Sequence, residues 1–192
     1  MIVVFLGPPG SGKGTQAARL AQRAKIPQIS TGDMLRQAVA DGTELGRKAR
    51  AIMDAGELVS DDIIVAMIEA RISAPDCRDG FILDGFPRTA AQAEALERML
   101  ASRGLKVDAV LNLQVDEDEL AQRMAGRARQ EGRSDDNPET ICERLRVYRE
   151  KTAPLVDWYS KKDTISSIDG MGSIEEISGG IDRALAREGA AA

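Results

Sequence analysis

The sequence predicts an α/β fold of the three-layer sandwich type, built on a parallel, five-stranded sheet. Three observations predict it. Short β-branched and apolar runs alternate with segments of helical periodicity. The connections between successive strands are long enough for right-handed helical crossovers. The chain has 192 residues, 43% hydrophobic and 30% charged, which suits one folded domain covering 1–192.

The strands are predicted first, because their apolar runs are the clearest signal. Residues 2–6 are all apolar and end at Gly7, which is typical of a parallel strand buried on both faces. Three more runs of this kind predict strands at 81–83, 107–115 and 164–168. A shorter run after the first helix predicts a strand at 27–29.

Helical periods fill the intervals between the strands. They are predicted at 13–24, 32–39, 46–55, 61–72, 90–102, 117–128, 138–159 and 174–187. Too many helices lie between the second and third strands for one crossover, so 30–59 is predicted to be an insert over the sheet. The polar segment 128–136 is predicted to be a short loop between two helices.

The composition excludes several kinds of chemistry. The chain has no histidine, so it can hold no Ser-His-Asp triad and no His-ligated metal. The net charge of −5 and the 3% aromatic content argue against a nucleic-acid partner.

Two widely spaced cysteines, Cys77 and Cys142, fit free thiols in a reducing compartment. No apolar run is long enough for a membrane span or resembles a signal peptide, so a cytoplasmic location is expected.

Arginines far outnumber lysines among the 26 basic residues, and many of them lie between positions 123 and 149. Arginine binds phosphate with two parallel hydrogen bonds and keeps its proton. A binding site for a small anion is one explanation of this cluster. Solvated helices with i,i+4 ion pairs are the other, and the charge pattern alone leaves both open.

A glycine-rich loop follows the first strand and opens the first helix. It reads Gly7-Pro-Pro-Gly10-Ser11-Gly12-Lys13-Gly14-Thr15. Glycines let backbone N–H groups turn towards a phosphate, and the helix N-terminus and Lys13 add positive charge. The order strand, loop, helix therefore predicts a phosphate-binding loop. Gly14 displaces the hydroxyl to Thr15, so the pattern does not assign that hydroxyl as a direct magnesium ligand.

Further motifs accompany this loop in a fixed order: Ser30-Thr-Gly-Asp-Met-Leu-Arg36, Gly56-Glu-Leu-Val59, Asp84-Gly-Phe-Pro-Arg88, Arg123-x-x-x-Arg127 and Thr152-Ala-Pro-Leu155. Together with the loop, which has the form found in nucleoside monophosphate kinases, they resemble the adenylate kinase family. The resemblance extends over essentially the whole chain. It implies reversible, Mg²⁺-dependent transfer of a phosphoryl group from ATP to AMP, giving two ADP, by a monomeric enzyme.

The resemblance also implies which residues bind ATP. They are Gly10, Ser11, Gly12, Lys13, Gly14, Thr15, Arg123, Arg127 and Gly172. Arg127 would lie near the adenine, and Gly172 would bring backbone beside it. A glycine that merely ends a loop explains Gly172 nearly as well. Asp84 ends a strand at the ligand-binding edge of a parallel sheet, where it would hold Mg²⁺ through water.

The residues implied for AMP are Thr31, Arg36, Glu57, Leu58, Val59, Gly85, Phe86, Pro87, Arg88, Gln92, Arg133 and Arg144. Lys13, Arg88, Arg123, Arg133 and Arg144 would act in catalysis. Thr31 could instead cap its helix, and Asp61 and Asp62 are interpreted as helix caps only.

Gln92 has two interpretations. Thr89-Ala-Ala-Gln92 fits a capping box, in which Gln92 returns to its own helix N-terminus. The family resemblance instead has Gln92 hydrogen-bonding the adenine of AMP. Thr31 and Gln92 together resemble the AMP type, whereas the related UMP/CMP kinases tend to carry Ala and Asn there.

A short lid is expected at 126–136. Many adenylate kinases insert a β subdomain there, some with four zinc-binding cysteines, and this segment is too short and has none, so no structural zinc is expected. A UMP/CMP kinase and a non-catalytic P-loop nucleotide-binding module remain the alternatives. The acceptor phosphate is already largely ionised at neutral pH, so this reaction needs no general base and no histidine.

Overall fold

The computed structural model describes residues 1–131, 134–187 and 189, and these form an α/β sandwich around five parallel strands. The strands are β1 (Ile2–Leu6), β2 (Gln28–Ser30), β3 (Phe81–Asp84), β4 (Ala109–Gln114) and β5 (Ile165–Asp169). Their order across the sheet is β2-β3-β1-β4-β5, and every neighbouring pair is parallel. The predicted fold class is confirmed, and the strand ends differ from the predicted ones by two residues at most.

The helices of the described chain fall close to the predicted segments. They are α1 (Lys13–Ala24), α2 (Thr31–Ala40), α3 (Glu44–Asp54), α4 (Asp61–Ile72), α5 (Ala90–Ala101), α6 (Glu117–Glu131), α7 (Pro138–Val147), α8 (Pro154–Ser160) and α9 (Ile174–Arg187). Among these described helices, none combines the length and apolar character needed to cross a bilayer.

Two predicted helix boundaries were wrong. Helix α6 continues to Glu131 because Arg, Gln and Glu follow Ala128 and favour helix, so much of the predicted loop 128–136 is helical. The predicted single helix 138–159 contains a π-helical turn, Tyr148–Thr152, between α7 and α8. Pro154 has no N–H to donate to the preceding turn, and the N–H of Ala153 reaches five residues back to the carbonyl of Tyr148, at 2.9 Å.

The sheet separates two apolar cores, and strand β1 contributes to both. Val3 and Phe5 face one side, where they pack with α1 and α9. Ile2, Val4 and Leu6 face the other side, where α4, α5 and α8 cover the sheet. This alternation follows from the two-residue repeat of a strand and makes the three layers. Each buried aliphatic side chain contributes roughly 1.5–3 kcal/mol to folding.

The site lies beyond the carboxyl ends of the strands. The connection after β1 leads to β2 at one edge of the sheet, whereas the connection after β3 passes β1 to reach β4, so the two connections run in opposite directions. A crevice forms at such a point in parallel sheets. Helices α2 and α3 lie within the predicted insert 30–59, and the end of α6 lies within the predicted lid 126–136. Both sets of domain boundaries stay predictions.

Candidate active site

One cavity of about 840 Å³ opens at this crevice and collects nearly all the predicted site residues. It is lined by Gly10, Ser11, Gly12, Lys13, Gly14, Thr15, Thr31, Arg36, Glu57, Leu58, Val59, Asp84, Gly85, Pro87, Arg88, Gln92, Arg123, Arg127, Arg144 and Gly172. Phe86 instead packs its side chain in the apolar core and is not part of the lining. Arg133 lies outside the described residues.

The glycine-rich loop wraps around the amino end of α1. Gly10 has a φ of +83°, and a β carbon there would lie 3.0 Å from Met124 Cγ and 3.1 Å from the Leu120 carbonyl oxygen. Only glycine fits between this loop and α6 without strain. The loop is thereby held against α6, and the first N–H groups of α1 stay available to an anion.

Lys13 folds back over the loop. Its Nζ donates to the carbonyls of Gly7 (2.7 Å) and Pro8 (2.8 Å). Burial, together with the nearby guanidinium of Arg88, lowers the pKa of Lys13 to about 7, against the attraction of Asp84. Negatively charged phosphates beside this amine would restore its ordinary protonation.

Asp84 stands at the end of β3, between the ends of β1 and β2. Its Oδ2 accepts a hydrogen bond from Gln28 Nε2 at 3.1 Å, a partner the sequence did not suggest. A β carbon at Gly14 would lie 3.4 Å from the same oxygen, so the loop and the carboxylate face each other. One carboxylate beside a phosphate-binding loop suits Mg²⁺, which keeps several waters and takes its other ligands from phosphate. No set of three or more Cys, Asp or Glu side chains within the described ranges is arranged to hold a metal ion. Binding of Mg²⁺ beside Asp84 would therefore depend on water and phosphate as the other ligands.

Thr31 and Arg88 meet at Gly85. Thr31 Oγ1 donates to the Gly85 carbonyl oxygen at 2.8 Å, as does Arg88 Nε at 2.8 Å. Gly85 has a φ of +76°, and a β carbon there would lie 2.9 Å from Arg88 Nη2. Thr31 does not cap α2, because Ser30 is the capping residue and accepts from the N–H of Asp33.

Arg88 has its backbone held on both sides. Its N–H donates to Gln92 Oε1 at 2.8 Å, and its carbonyl accepts from Thr152 Oγ1 at 2.9 Å. Burial lowers the pKa of Arg88 to about 10, and the charge of Arg144 adds to this. No carboxylate among the described residues lies within salt-bridge distance of its guanidinium. Arg88 is thus a buried, firmly placed cation that an incoming phosphate would stabilise.

Gln92 is neither a simple capping residue nor a free amide. Thr89 Oγ1 caps the N–H of Gln92 at 3.2 Å, which is half of the predicted capping box. The Gln92 Oε1 receives the Arg88 N–H, and its Nε2 donates to Asp61 Oδ1 at 2.7 Å. One N–H and one lone pair of the amide therefore stay available to a ligand. The interpretation of Asp61 as a cap only was wrong, because its carboxylate orients Gln92 and also accepts from Thr89.

Two aspartates that the sequence analysis left without a role lie among the arginines of the cleft. Asp136 is buried and accepts from Arg127 Nε at 2.6 Å, from Arg127 Nη2 at 2.7 Å, and from Arg144 Nη1. Asp135 Oδ2 lies 3.1 Å from Arg144 Nη1 and 3.8 Å from Arg36 Nη1. The acidic pair thus lies against three of the arginines predicted to bind nucleotide, Arg36, Arg127 and Arg144. The position of the pair at the end of the predicted lid 126–136 was the available signal.

Arg123 and Gly172 lie on the other side of the loop. Arg123 Nε pairs with Glu119 Oε1 at 2.8 Å, and its Nη1 donates to the Gly170 carbonyl at 3.0 Å. Gly172 and its neighbours line the cavity there. Arg146 and Arg149, which belong to none of the quoted motifs, form ion pairs on the surface.

A phosphate-binding loop and a buried arginine that share one cleft are what a P-loop nucleotide kinase requires, since it must bring a donor and an acceptor phosphate together. Residues 5–164 match the family model described as adenylate kinase. An adenylate kinase of Thermobifida fusca is 57% identical over 177 residues, covering 92% of this chain and 94% of its own length.

Two further relatives agree. An adenylate kinase of Chelativorans sp. is 55% identical over 193 residues, covering 97% of this chain and all of its own length. One of Stenotrophomonas maltophilia is 54% identical over 177 residues, covering 92% of this chain and 95% of its own length. The chain belongs to the adenylate kinase family, and adenylate kinase activity follows from that membership.

Proposed function

We propose that this chain transfers the γ-phosphoryl group of ATP to AMP, reversibly, and yields two ADP. The observation that carries the proposal is that Lys13, Asp84 and Arg88 line one cavity. Donor phosphates at the loop and an acceptor phosphate at Arg88 would then lie side by side. The family relationship supports the choice of nucleotides, and the geometry of the cavity supports the residue roles proposed below.

The donor side is the glycine-rich loop. Backbone N–H groups of residues 10–15 and the amino end of α1 would bind the β- and γ-phosphates. Lys13, whose Nζ already lies over the loop, would add a positive charge to them. Arg123 and Arg127 would face the ATP side, and the segment around Gly172 would lie beside the adenine.

The acceptor side is built around Arg88. Arg88 and Arg36 would bind the phosphate of AMP, with Thr31 near its base. Gln92 would use its remaining N–H and lone pair on the adenine edge, since Asp61 and the Arg88 N–H fix the orientation of the amide. Residues 57–59 and 85–87 would supply the rest of the nucleoside pocket.

The chemistry is positioning and electrostatic stabilisation. The acceptor oxygen is already ionised at neutral pH, so no side chain has to remove a proton, which suits a chain without histidine. Lys13, Arg88, Arg123, Arg144 and Arg133 would neutralise charge on the transferring group. Asp84 would hold Mg²⁺ through water, and the ion, when bound with ATP, neutralises phosphate charge. Closure of 30–59 and 126–136 would exclude water and limit ATP hydrolysis.

We also propose that the enzyme works as a monomer in the cytoplasm. The structure has two free cysteines, Cys77 and Cys142, which suit a reducing compartment. The absence of a structural zinc stays a prediction.

The experiment that tests the proposal replaces Arg88 by alanine. We expect kcat/KM for AMP to fall about 10²–10³-fold, because a buried cation that binds the reacting phosphate is lost. The dissociation constant for ATP, measured by calorimetry, should change little. Arg98→Ala is the matched control, because Arg98 is exposed and pairs only loosely with Glu94.

Two results would contradict the proposal. An equal loss of ATP affinity in the Arg88→Ala variant would remove Arg88 from the acceptor side. In the unmodified enzyme, faster phosphorylation of CMP or UMP than of AMP would favour a UMP/CMP kinase.

A further inference from the structure

The segment 170–174 leaves β5 and enters α9 at the edge of the cavity. Of the three large apolar side chains that the described residues leave most exposed, two, Met171 and Ile174, belong to this segment. Gly172, Ser173 and Ile174 line the cavity. Exposed apolar groups beside a polar cleft suit a flat, apolar ligand surface such as a purine ring.

The segment is held from two sides. At its start, Arg123 Nη1 donates to the Gly170 carbonyl at 3.0 Å. At its end, Gln16 Nε2 donates to the Ile174 carbonyl at 2.9 Å. Gln16 lies on α1, directly after the glycine-rich loop. The phosphate-binding loop and the segment 170–174 are therefore joined through one buried amide.

Packing does not account for Gln16. The residue is only 2% exposed, and its Oε1 has no hydrogen-bond partner among the described residues. Burying an unsatisfied amide oxygen is unfavourable, so methionine or leucine would serve a purely structural role better. The hydrogen bond from Nε2 to Ile174 is the feature that requires glutamine at this position.

We propose that Gln16 is a positioning residue for the base of the phosphoryl donor. Its amide sets the distance between the segment 170–174 and the phosphate-binding loop, so that a purine and its triphosphate bind at the same time. The inference rests on the proposed function, because it requires that the donor occupies the glycine-rich loop. It adds a residue that lines the cavity and acts on the donor through the segment 170–174.

Gln16→Met tests the proposal, since methionine keeps the length of the side chain but cannot donate. We expect the KM for ATP to rise about 3–10-fold, as for the loss of one hydrogen bond. The kcat and the KM for AMP should stay within about twofold. The preference for ATP over CTP as donor should narrow, because a smaller base depends less on the segment 170–174.

Arg19→Gln is the matched control. Arg19 also joins α1 to the start of α9, through Glu175 at 3.3 Å, but both side chains are exposed. This variant should leave the KM for ATP unchanged.

If Gln16→Met does not fold, Gln16→Glu carries the test, because its carboxylate keeps the shape and repels the Ile174 carbonyl. A second readout is the rise in melting temperature when nucleotide is added. ATP should raise the melting temperature of either Gln16 variant less than that of the unmodified enzyme, whereas the rise caused by AMP should be unchanged.

Two outcomes would overturn the inference. One is an unchanged KM for ATP in a folded Gln16 variant, and the other is an equal rise in the KM for ATP and for AMP. Both differ from failure of the proposed function, in which the unmodified enzyme would not phosphorylate AMP at all.

Discussion

The buried carboxylate of Asp136 provides a direct test of how the arginines of the cleft are held. Its side chain has no exposed surface and lies against Arg127 and Arg144. Asp136→Asn keeps the shape but removes the charge. It also turns an NH₂ group towards guanidinium groups that can only donate, so at least one hydrogen bond is lost.

The expected magnitude follows from the burial. Removing one partner of a buried ion pair costs about 3–5 kcal/mol. Asp135, at 3.1 Å from Arg144, offsets only part of the lost negative charge. For a chain of this size, each kcal/mol changes the melting temperature by roughly 2–4 °C. Asp136→Asn should therefore lower the melting temperature by about 6–20 °C, and 0.5 M salt should alter that difference little, because the pair is buried.

Thermal unfolding followed by circular dichroism, without nucleotide, measures this effect. Glu44→Gln is the control, because Glu44 makes an equally short contact of 2.7 Å with Lys48 but both side chains are mostly exposed. Exposed pairs contribute about 0–1 kcal/mol, so the control should lose no more than a few degrees. Equal, small losses in the two variants would refute the argument that burial makes Asp136 important.

Two further predictions concern the donor and acceptor sides. With the pKa of Lys13 lowered to about 7, the amine is mostly neutral at pH 8, so binding of ATP should take up a proton. Calorimetry in buffers of different ionisation heat detects this uptake, and ATP affinity should weaken as the pH rises above 7; binding heats that do not depend on the buffer would contradict it. Thr152→Val removes the hydrogen bond to the Arg88 carbonyl and should raise the KM for AMP about 3–10-fold, with the KM for ATP unchanged. Equal changes in both KM values would show that Thr152 acts on stability alone.

The order of strands and helices could be predicted from local pattern. Helices α1, α4 and α9 begin and end where their periodicity and flanking residues indicated. The π-helical turn before α8 was not predicted, although Pro154 was a visible signal. A proline inside a helical pattern can end, kink or widen the helix, and packing around Thr152 and Arg88 selects among these outcomes.

Most of the candidate site could also be predicted, because its motifs are short and each is local. The hydrogen-bond partners of the site residues could not be predicted. Gln28 contacts Asp84 across 56 positions, and Asp61 contacts Gln92 across 31. No periodicity encodes such pairs, since they arise only when separate strands and helices meet.

By itself, the sequence determined the parallel α/β architecture, the glycine-rich loop between β1 and α1, and the motifs typical of the adenylate kinase family. These depend on residues close together along the chain, where backbone geometry and hydrophobic periodicity act directly. Only the tertiary structure decided which acid neutralises which arginine, how Gln92 divides its hydrogen bonds, and that Gln16 joins α1 to the segment 170–174. Buried polar groups must find partners wherever the fold brings them, and that constraint is satisfied in three dimensions rather than along the chain.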